Sequence, residues 1–480
     1  MNRRMVLNTV GHILLAEAAL LILPAIVSVI YGEDCLWHFL FTIGVALLLG
    51  IILKFASRPD SKVIYAKEGF VIVSYAWVLM SAIGALPFFL SGEIPNYIDA
   101  FFETVSGFTT TGASILTNVE AMSHGLLFWR SFTHWIGGMG VIVFVMAIIP
   151  NIADRSMNIM KAEVPGPIVG KLVPKARETA RILYLIYVGM TVIMALMLIC
   201  GGMPVFDSVV HTFGTAGTGG FGIKADSITS YSPYCQWVIT VFMLLFALNF
   251  NLYYLMLMKK FKSVFKSTEL WFFLGLVGLS IGIITFNVYP MYSGFEETIR
   301  TSSFQVATII STTGYATTDF NLWPGLSKSI LLLLMIVGGC AGSTAGGLKN
   351  ARVVMLIKTV YRELKKLLHP RSVRAVNMEA KRVDEQTLSG VTSYFAIYIM
   401  CIITIFILLS IEPFGIETNL SATLACFNNI GPGLGVVGPT GSYADYSMFS
   451  KILLSIAMLL GRLEIFPLIL GLNPLAWKKR

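Results

Sequence analysis

Four short stretches of this 480-residue sequence carry residues that could strip a cation of its water and hold it. They are Thr109-Thr110-Thr111-Gly112, Gly217-Thr218-Gly219, Ser311-Thr312-Thr313-Gly314 and Asn428-Asn429-Ile430-Gly431. Aligned on Gly112, Gly219, Gly314 and Gly431 they recur about every hundred residues, the signature of an internal repeat. Glycine reaches the positive φ that turns successive carbonyls to one side, and a ring of carbonyl oxygens can replace a hydration shell. No stretch holds a carboxylate, so backbone coordination of a monovalent ion fits better than the carboxylate cage of a divalent one. The candidate ligands are Thr110, Thr111 and Gly112; Gly217, Thr218 and Gly219; Thr312, Thr313 and Gly314; and Asn429, Ile430 and Gly431.

The second stretch also matches the dinucleotide fingerprint G-x-G-x-x-G, at Gly217, Gly219 and Gly222. That motif means something only between a strand and a helix. Composition opposes it: 56% of residues are hydrophobic and 13% charged, with mean hydropathy +0.76. Apolar runs such as 70–90 and 128–149 are long enough to cross a bilayer as helices. The expectation is therefore a polytopic membrane protein in which the fingerprint is incidental. The apolar run after Arg3 and Arg4 is too long for a signal peptide and lacks an A-x-A site, so it reads as a retained span. Cysteines at 35, 200, 235, 340, 401 and 426 have no C-x-x-C or ligand spacing and read as small apolar residues. No H-E-x-x-H, nucleophile elbow or Walker motif is present, and an enzyme is not expected.

Each candidate stretch follows an apolar segment of about 10–14 residues, too short to span and suited to re-entrant placement. Irregular backbone at membrane depth is tolerated only where protein buries it or it lines a watery cavity, and four such loops around one axis meet that condition. Short helices running into them would aim their negative C-terminal ends at the ion. The predicted fold is an all-α polytopic membrane protein: a fourfold pseudo-repeat of helix, pore helix with filter loop, and helix around one pore, plus two extra N-terminal spans. The units are 1–66 (the extra spans), 67–178, 179–266, 267–384 (with a gate loop) and 385–480. Lys and Arg cluster at 3–4, 54–67, 155–181, 259–266, 349–382 and 478–480. By the positive-inside rule these ends are cytoplasmic, giving ten spans with both termini inside. Glu93, Asp99, Asp207, Glu296, Glu297, Asp319, Glu417 and Asp445 then face outward, either concentrating cations at the mouth or solubilising loops.

Two features suggest control. Residues 336–357 start and end as a span but are interrupted by Gly338, Gly339, Gly342, Ser343, Thr344, Gly346 and Gly347, read as a gate or as close helix packing. Arg462 reads as the one basic residue well inside a span, where charge is costly and marks function by default. Glu464, about 200° round the helix, is badly placed to pair with it and is expected to meet another helix. The run Lys349–Arg382, with Lys349, Arg352, Lys358, Arg362, Lys365 and Lys366, suits anionic membrane lipid or an acidic protein surface. Nucleic acid is not expected.

The motifs FTTTGAS, GTGGF, STTGYATTDF, NNIGPGLG and GGCAGSTAGGLK resemble, across essentially the whole chain, those of the Trk/Ktr/HKT potassium-transporter superfamily. The two extra N-terminal spans point to its Trk branch. The resemblance implies a potassium-selective uptake pore carrying K+, with no organic cofactor in this chain. It implies a homodimer in a bacterial inner membrane, with a cytoplasmic nucleotide-binding regulatory ring of the TrkA type as partner. It makes 338–347 an intramembrane loop below the filter and Arg462 a pore-facing charge. Gly112 stands where plant relatives that pass sodium carry Ser, which favours potassium here. Gly217, where relatives commonly have Ser, and the Asn429-Ile430 pair depart from the pattern. A proton- or sodium-coupled symporter is the alternative.

Overall fold

The computed structural model describes residues 2–57, 66–140, 176–371, 374–379 and 381–472. Most of the basic stretch 155–181, residues 478–480 and the far half of the apolar run 128–149 lie outside the described residues.

Two N-terminal spans, Arg3–Tyr31 and Cys35–Ala56, form an antiparallel pair. The helix ends at Gly32, whose φ of 68° makes the left-handed cap that glycine adopts without a Cβ penalty. Lower down, Gly11 and Gly50 let the backbones touch. A Cβ on Gly11 would stand 2.9 Å from the carbonyl oxygen of Gly50, and one on Gly50 would stand 3.0 Å from that of Gly11. Small residues that permit such approach supply the packing that an apolar solvent cannot drive.

Four units of one pattern follow. Each opens with a long apolar helix: Lys67–Leu90, Glu178–Cys200, Thr268–Met291 and Glu385–Leu409. Each continues into a short buried helix: Tyr97–Phe108, Val205–Ala216, Phe295–Ile310 and Ile416–Phe427. After an irregular loop comes a second element. Among the described residues six helices are long and apolar enough to cross, and the second elements of the second, third and fourth units are interrupted. His124–Gly138 stops at Met139. Pro233–Phe246 turns by 91° into Phe250–Leu257. Gly325–Val337 breaks into the Gly-rich segment before Asn350–Leu368. Met448–Arg462 meets left-handed Glu464 and Ile465 before Phe466–Leu472.

In the first and fourth units the second helix ends where it reaches the floor of a short-helix loop, whereas the turn after Phe246 is bonded to the Gly-rich segment, Phe250 to Gly342 at 3.0 Å and Cys340 to Ala247 at 2.9 Å. A Cβ on Gly137 would overlap the carbonyl of Phe108, and one on Gly461 that of Phe427, the last helical residues of the first and fourth short helices. Among the described residues the one strand pair is Asn377–Met378 with Lys381–Arg382. Gly217 caps a helix rather than following a strand, so the fingerprint match carries no nucleotide fold.

Candidate ion pathway

The four loops share one backbone device. Thr110, Thr218, Thr312 and Asn429, each two residues past its short helix, have φ of 55°, 54°, 57° and 57°. The amide of each bonds back three residues, to Gly107, Thr215, Ile309 and Cys426. The next amide bonds back five, Thr111 to Ser106, Gly219 to Gly214, Thr313 to Thr308 and Ile430 to Ala425, at 2.8–2.9 Å. This is the Schellman closure of a helix end, normally built on glycine. Here Thr110, Thr218 and Thr312 take the left-handed place at about 1–2 kcal/mol each, and Asn429, a residue that tolerates it better, takes it in the fourth loop. Strain of that kind persists where the surrounding structure over-determines the backbone, and it clusters at functional sites. The closures hold the third residue of each loop, Thr111, Gly219, Thr313 and Ile430, against its helix end.

The loops then interlock in a cycle. A Cβ on Gly112 would fall on the carbonyl of Gly219, on Gly220 on that of Thr313, and on Gly314 on that of Ile430. A Cβ on Gly431 would stand 2.7 Å from the carbonyl of Thr111, which closes the ring. These four glycines have φ of 79°, 75°, 90° and 92° and all line one cavity of about 150 Å³. The register of the second loop is therefore one residue later than alignment on Gly219 implies. Gly220 stands with Gly112, Gly314 and Gly431, while Gly219 stands with Thr111, Thr313 and Ile430. Gly217, expected as a ligand, is the helix cap, its Cα pressed against the backbone of His134. The capping threonines, not the glycines, are the better alignment marks.

Below the loops lies the Gly-rich segment. Gly346 donates to the Thr312 hydroxyl at 2.6 Å, and its Cα abuts the carbonyl of Asn428. Arg462 donates to the carbonyl of Thr344 at 2.8 Å and to those of Gly137 and Gly138 at 2.6 Å. The segment is also tied at its edges. Glu269 accepts from the amides of Ala341 (2.7 Å) and Ala351 (3.0 Å), and Asn350 donates to the carbonyl of Gly338 at 2.7 Å. Gly338, Gly342 and Gly347 have φ of 69°, 68° and 78°. The Cα atoms of Gly338 and Gly347 face each other, a Cβ on Gly347 standing 2.7 Å from Gly338. Gly339 and Ser343 complete the turn: a Cβ on Gly339 would stand 3.3 Å from the Ser343 hydroxyl, which donates to Cys340 at 2.6 Å.

Charges deep in the protein differ from expectation in two ways. Arg462 is not alone, because Arg130 in His124–Gly138 and Lys451 in Met448–Arg462 are also buried, paired with Glu103 at 2.6 Å and Asp99 at 2.8 Å. Arg130 sits in full view inside the run 128–149 and the same cost argument marks it. Glu464 does meet another helix: it pairs with Arg352, whose guanidinium lies 3.9 Å from the Tyr394 ring centre. Lys349, bonded to the Ala345 carbonyl, and Arg352 are buried and so are removed from the docking surface. Lys358, Arg362, Lys365 and Lys366 remain on the outer part of Asn350–Leu368. Lys358 donates to the carbonyl of Asn377 at 2.8 Å and Arg362 pairs with Glu385 at 2.8 Å.

The acids expected at an outer mouth are mostly engaged. Asp207 accepts from Tyr231 at 2.8 Å, Glu296 pairs with Arg300 at 3.0 Å, and Glu417 pairs with Lys328 at 3.2 Å. The cavity over the loops is lined by Arg130 and Lys224 and, among the described residues, by no carboxylate. That favours structural roles for these acids over cation concentration.

The TrkH family model, described as cation transport protein, matches residues 38–475. The chain belongs to that family. It is 36% identical to the Trk system potassium uptake protein TrkH of Salmonella typhimurium strain LT2, covering all of both chains. It is 32% identical to the Trk system potassium uptake protein TrkG of Escherichia coli strain K12, covering 99% of each. Among solved structures it resembles the potassium transporter TrkH of Vibrio parahaemolyticus, with a TM-score of 0.89, 30% identity and full coverage of both chains. The TrkH-family chain is thus an all-α, multi-pass membrane transport protein and not an enzyme.

Proposed function

We propose that this TrkH-family protein is the potassium-uptake pore of a Trk system, with K+ as cargo held by backbone carbonyls of the four interlocked loops. The ligating segments are Thr110–Gly112, Thr218–Gly220, Thr312–Gly314 and Asn429–Gly431. The observation that carries this reading is the closed cycle of glycines and carbonyls, which sets the four loops in contact around one cavity. The Gly-rich segment 338–347, tethered by Arg462, is the gate beneath them. The membrane potential drives inward flux. Both termini face the cytoplasm of a bacterial inner membrane. The protein works as a homodimer, with a TrkA-like nucleotide-binding ring docking on Lys358, Arg362, Lys365 and Lys366.

The test is flux of potassium, rubidium, sodium and lithium in proteoliposomes at a clamped potential. A pore passes potassium and rubidium well ahead of sodium and lithium with the potential alone. Flux that also demands an imposed proton or sodium gradient identifies a coupled symporter instead.

A further inference from the structure

We propose that the buried ion pair Arg130–Glu103 is a selectivity-positioning element, fixing the outer limbs of the first two loops; this rests on those loops being the filter. Arg130 lies in His124–Gly138 and Glu103 in the first short helix, their side chains 5% and 0% exposed. Arg130 Nε donates to Glu103 Oε1 at 2.6 Å, and its Nη1 donates to the carbonyl of Gly222 at 2.9 Å. Its guanidinium covers the Phe221 ring, 3.5 Å from the centroid. Glu103 in turn accepts from the Ser114 hydroxyl at 2.9 Å and the Ile115 amide at 3.0 Å. Ser114 and Gly222 each stand two residues beyond an interlocking glycine, Gly112 and Gly220.

One charge pair thus staples loop one to loop two just outside the ring. Because Gly112 rests on the carbonyl of Gly219, sliding one limb against the other moves that carbonyl directly. Discrimination between ions depends on the number, field strength and spacing of such dipoles. The pair also has an electrostatic side. Arg130 lines the cavity that a cation must cross, and Glu103 neutralises it.

The other three repeats lack the device. Seven residues before the left-handed Thr or Asn stand Glu103, His211, Gln305 and Ala422. Seven beyond the N-cap of the second helix stand Arg130, Ile239, Leu331 and Leu454. The fourth repeat packs Ala and Leu where the first carries Glu and Arg, so the fold itself accommodates an uncharged version. Keeping a buried pair where an apolar one would pack is weak evidence for stability; here a positioning role accounts for it.

The experiment measures potassium and sodium flux by full-length variants in proteoliposomes. The double variant Glu103→Ala with Arg130→Leu copies the fourth repeat and leaves net charge unchanged. It is expected to keep most potassium flux while the potassium-to-sodium ratio falls about tenfold, equivalent to about 1.4 kcal/mol. Glu103→Gln leaves Arg130 uncompensated and is expected to lower potassium and rubidium flux together. Arg130→Lys keeps the charge but lacks the fork that reaches both Glu103 and Gly222, so its ratio also falls. A folded double variant with an unchanged ratio overturns the inference, and if that variant does not fold, an unchanged ratio in Arg130→Lys overturns it. Gly112→Ala serves as control. If it shifts the ratio and the pair variants do not, only this inference fails; if none shifts it, the filter reading fails with it.

Discussion

Replacing Arg462 tests whether the Gly-rich segment is held closed by a tether. Arg462 joins that segment, through Thr344, to the end of His124–Gly138, through Gly137 and Gly138. A hydrogen bond from a charged donor contributes about 1.5–3 kcal/mol. Losing the Thr344 bond therefore raises the population of the displaced segment about 10- to 150-fold. The ties from Glu269, Asn350 and Thr312 remain and keep the segment folded. Arg462→Gln in the isolated protein is expected to increase potassium flux within that range, with a lower Tm because buried carbonyls lose their donor. Arg462→Lys separates tether from charge. It keeps a cation below the loops but cannot present a guanidinium fork to both sides. If tethering dominates, Lys behaves like Gln; if repulsion of the permeating ion dominates, Lys behaves like Arg. A folded Arg462→Gln protein whose flux is unchanged or lower refutes the reasoning.

Three more outcomes are expected. Gly220→Ala should disturb the potassium-to-sodium ratio through the carbonyl of Thr313, whereas Gly219→Ala meets the His134 ring and should act mainly on Tm; the reverse result overturns the revised register. Reversing Lys358, Arg362, Lys365 and Lys366 to Glu should abolish nucleotide-dependent control by a TrkA-type ring without altering selectivity, and normal co-purification would place docking elsewhere. Burial pushes the Glu33 carboxyl up, but hydrogen bonds from the Gly125 and His124 amides and the His124 ring hold it below the usual carboxylate range. Its folded pKa is thus depressed, so its stabilisation is complete above the unfolded value and is lost as pH falls through the folded one. Tm should drop with acidification through the range below about 4.5, and Glu33→Gln should flatten that part of the profile.

The repeat and its four loops are legible in the sequence because glycine, threonine and apolar length impose themselves locally. Register within the second loop is not, since Gly219 and Gly220 are chemically identical in a string. What separates them is the left-handed Thr218, a property of how the helix ends. The interruptions of the second helices are legible only at 338–347, where glycines are dense. The break after Phe246 is made against the Gly-rich segment and the one after Arg462 lies by the loop floor, contacts between distant parts of the chain that no local composition encodes. The basic run 349–382 misleads for a related reason. Charge density along the chain says nothing of depth, and Lys349 and Arg352 are consumed by the Ala345 carbonyl and Glu464 before any surface is reached.

The cyclic contact between loops bears on how such a molecule can change over generations. In a channel assembled from four identical subunits, every substitution appears four times and the ring must remain symmetric. Here each loop is written once in the gene, so a residue such as Ile430 can replace a threonine at one place only. Yet every interlocking glycine leans on a carbonyl of the following loop, so a side chain added to one is felt by its neighbour and onward around the circle. Divergence is therefore free at the positions facing away from the next loop and forbidden at the four that touch it. Ancestral symmetry should persist longest at Gly112, Gly220, Gly314 and Gly431, and erode first in the side chains behind them.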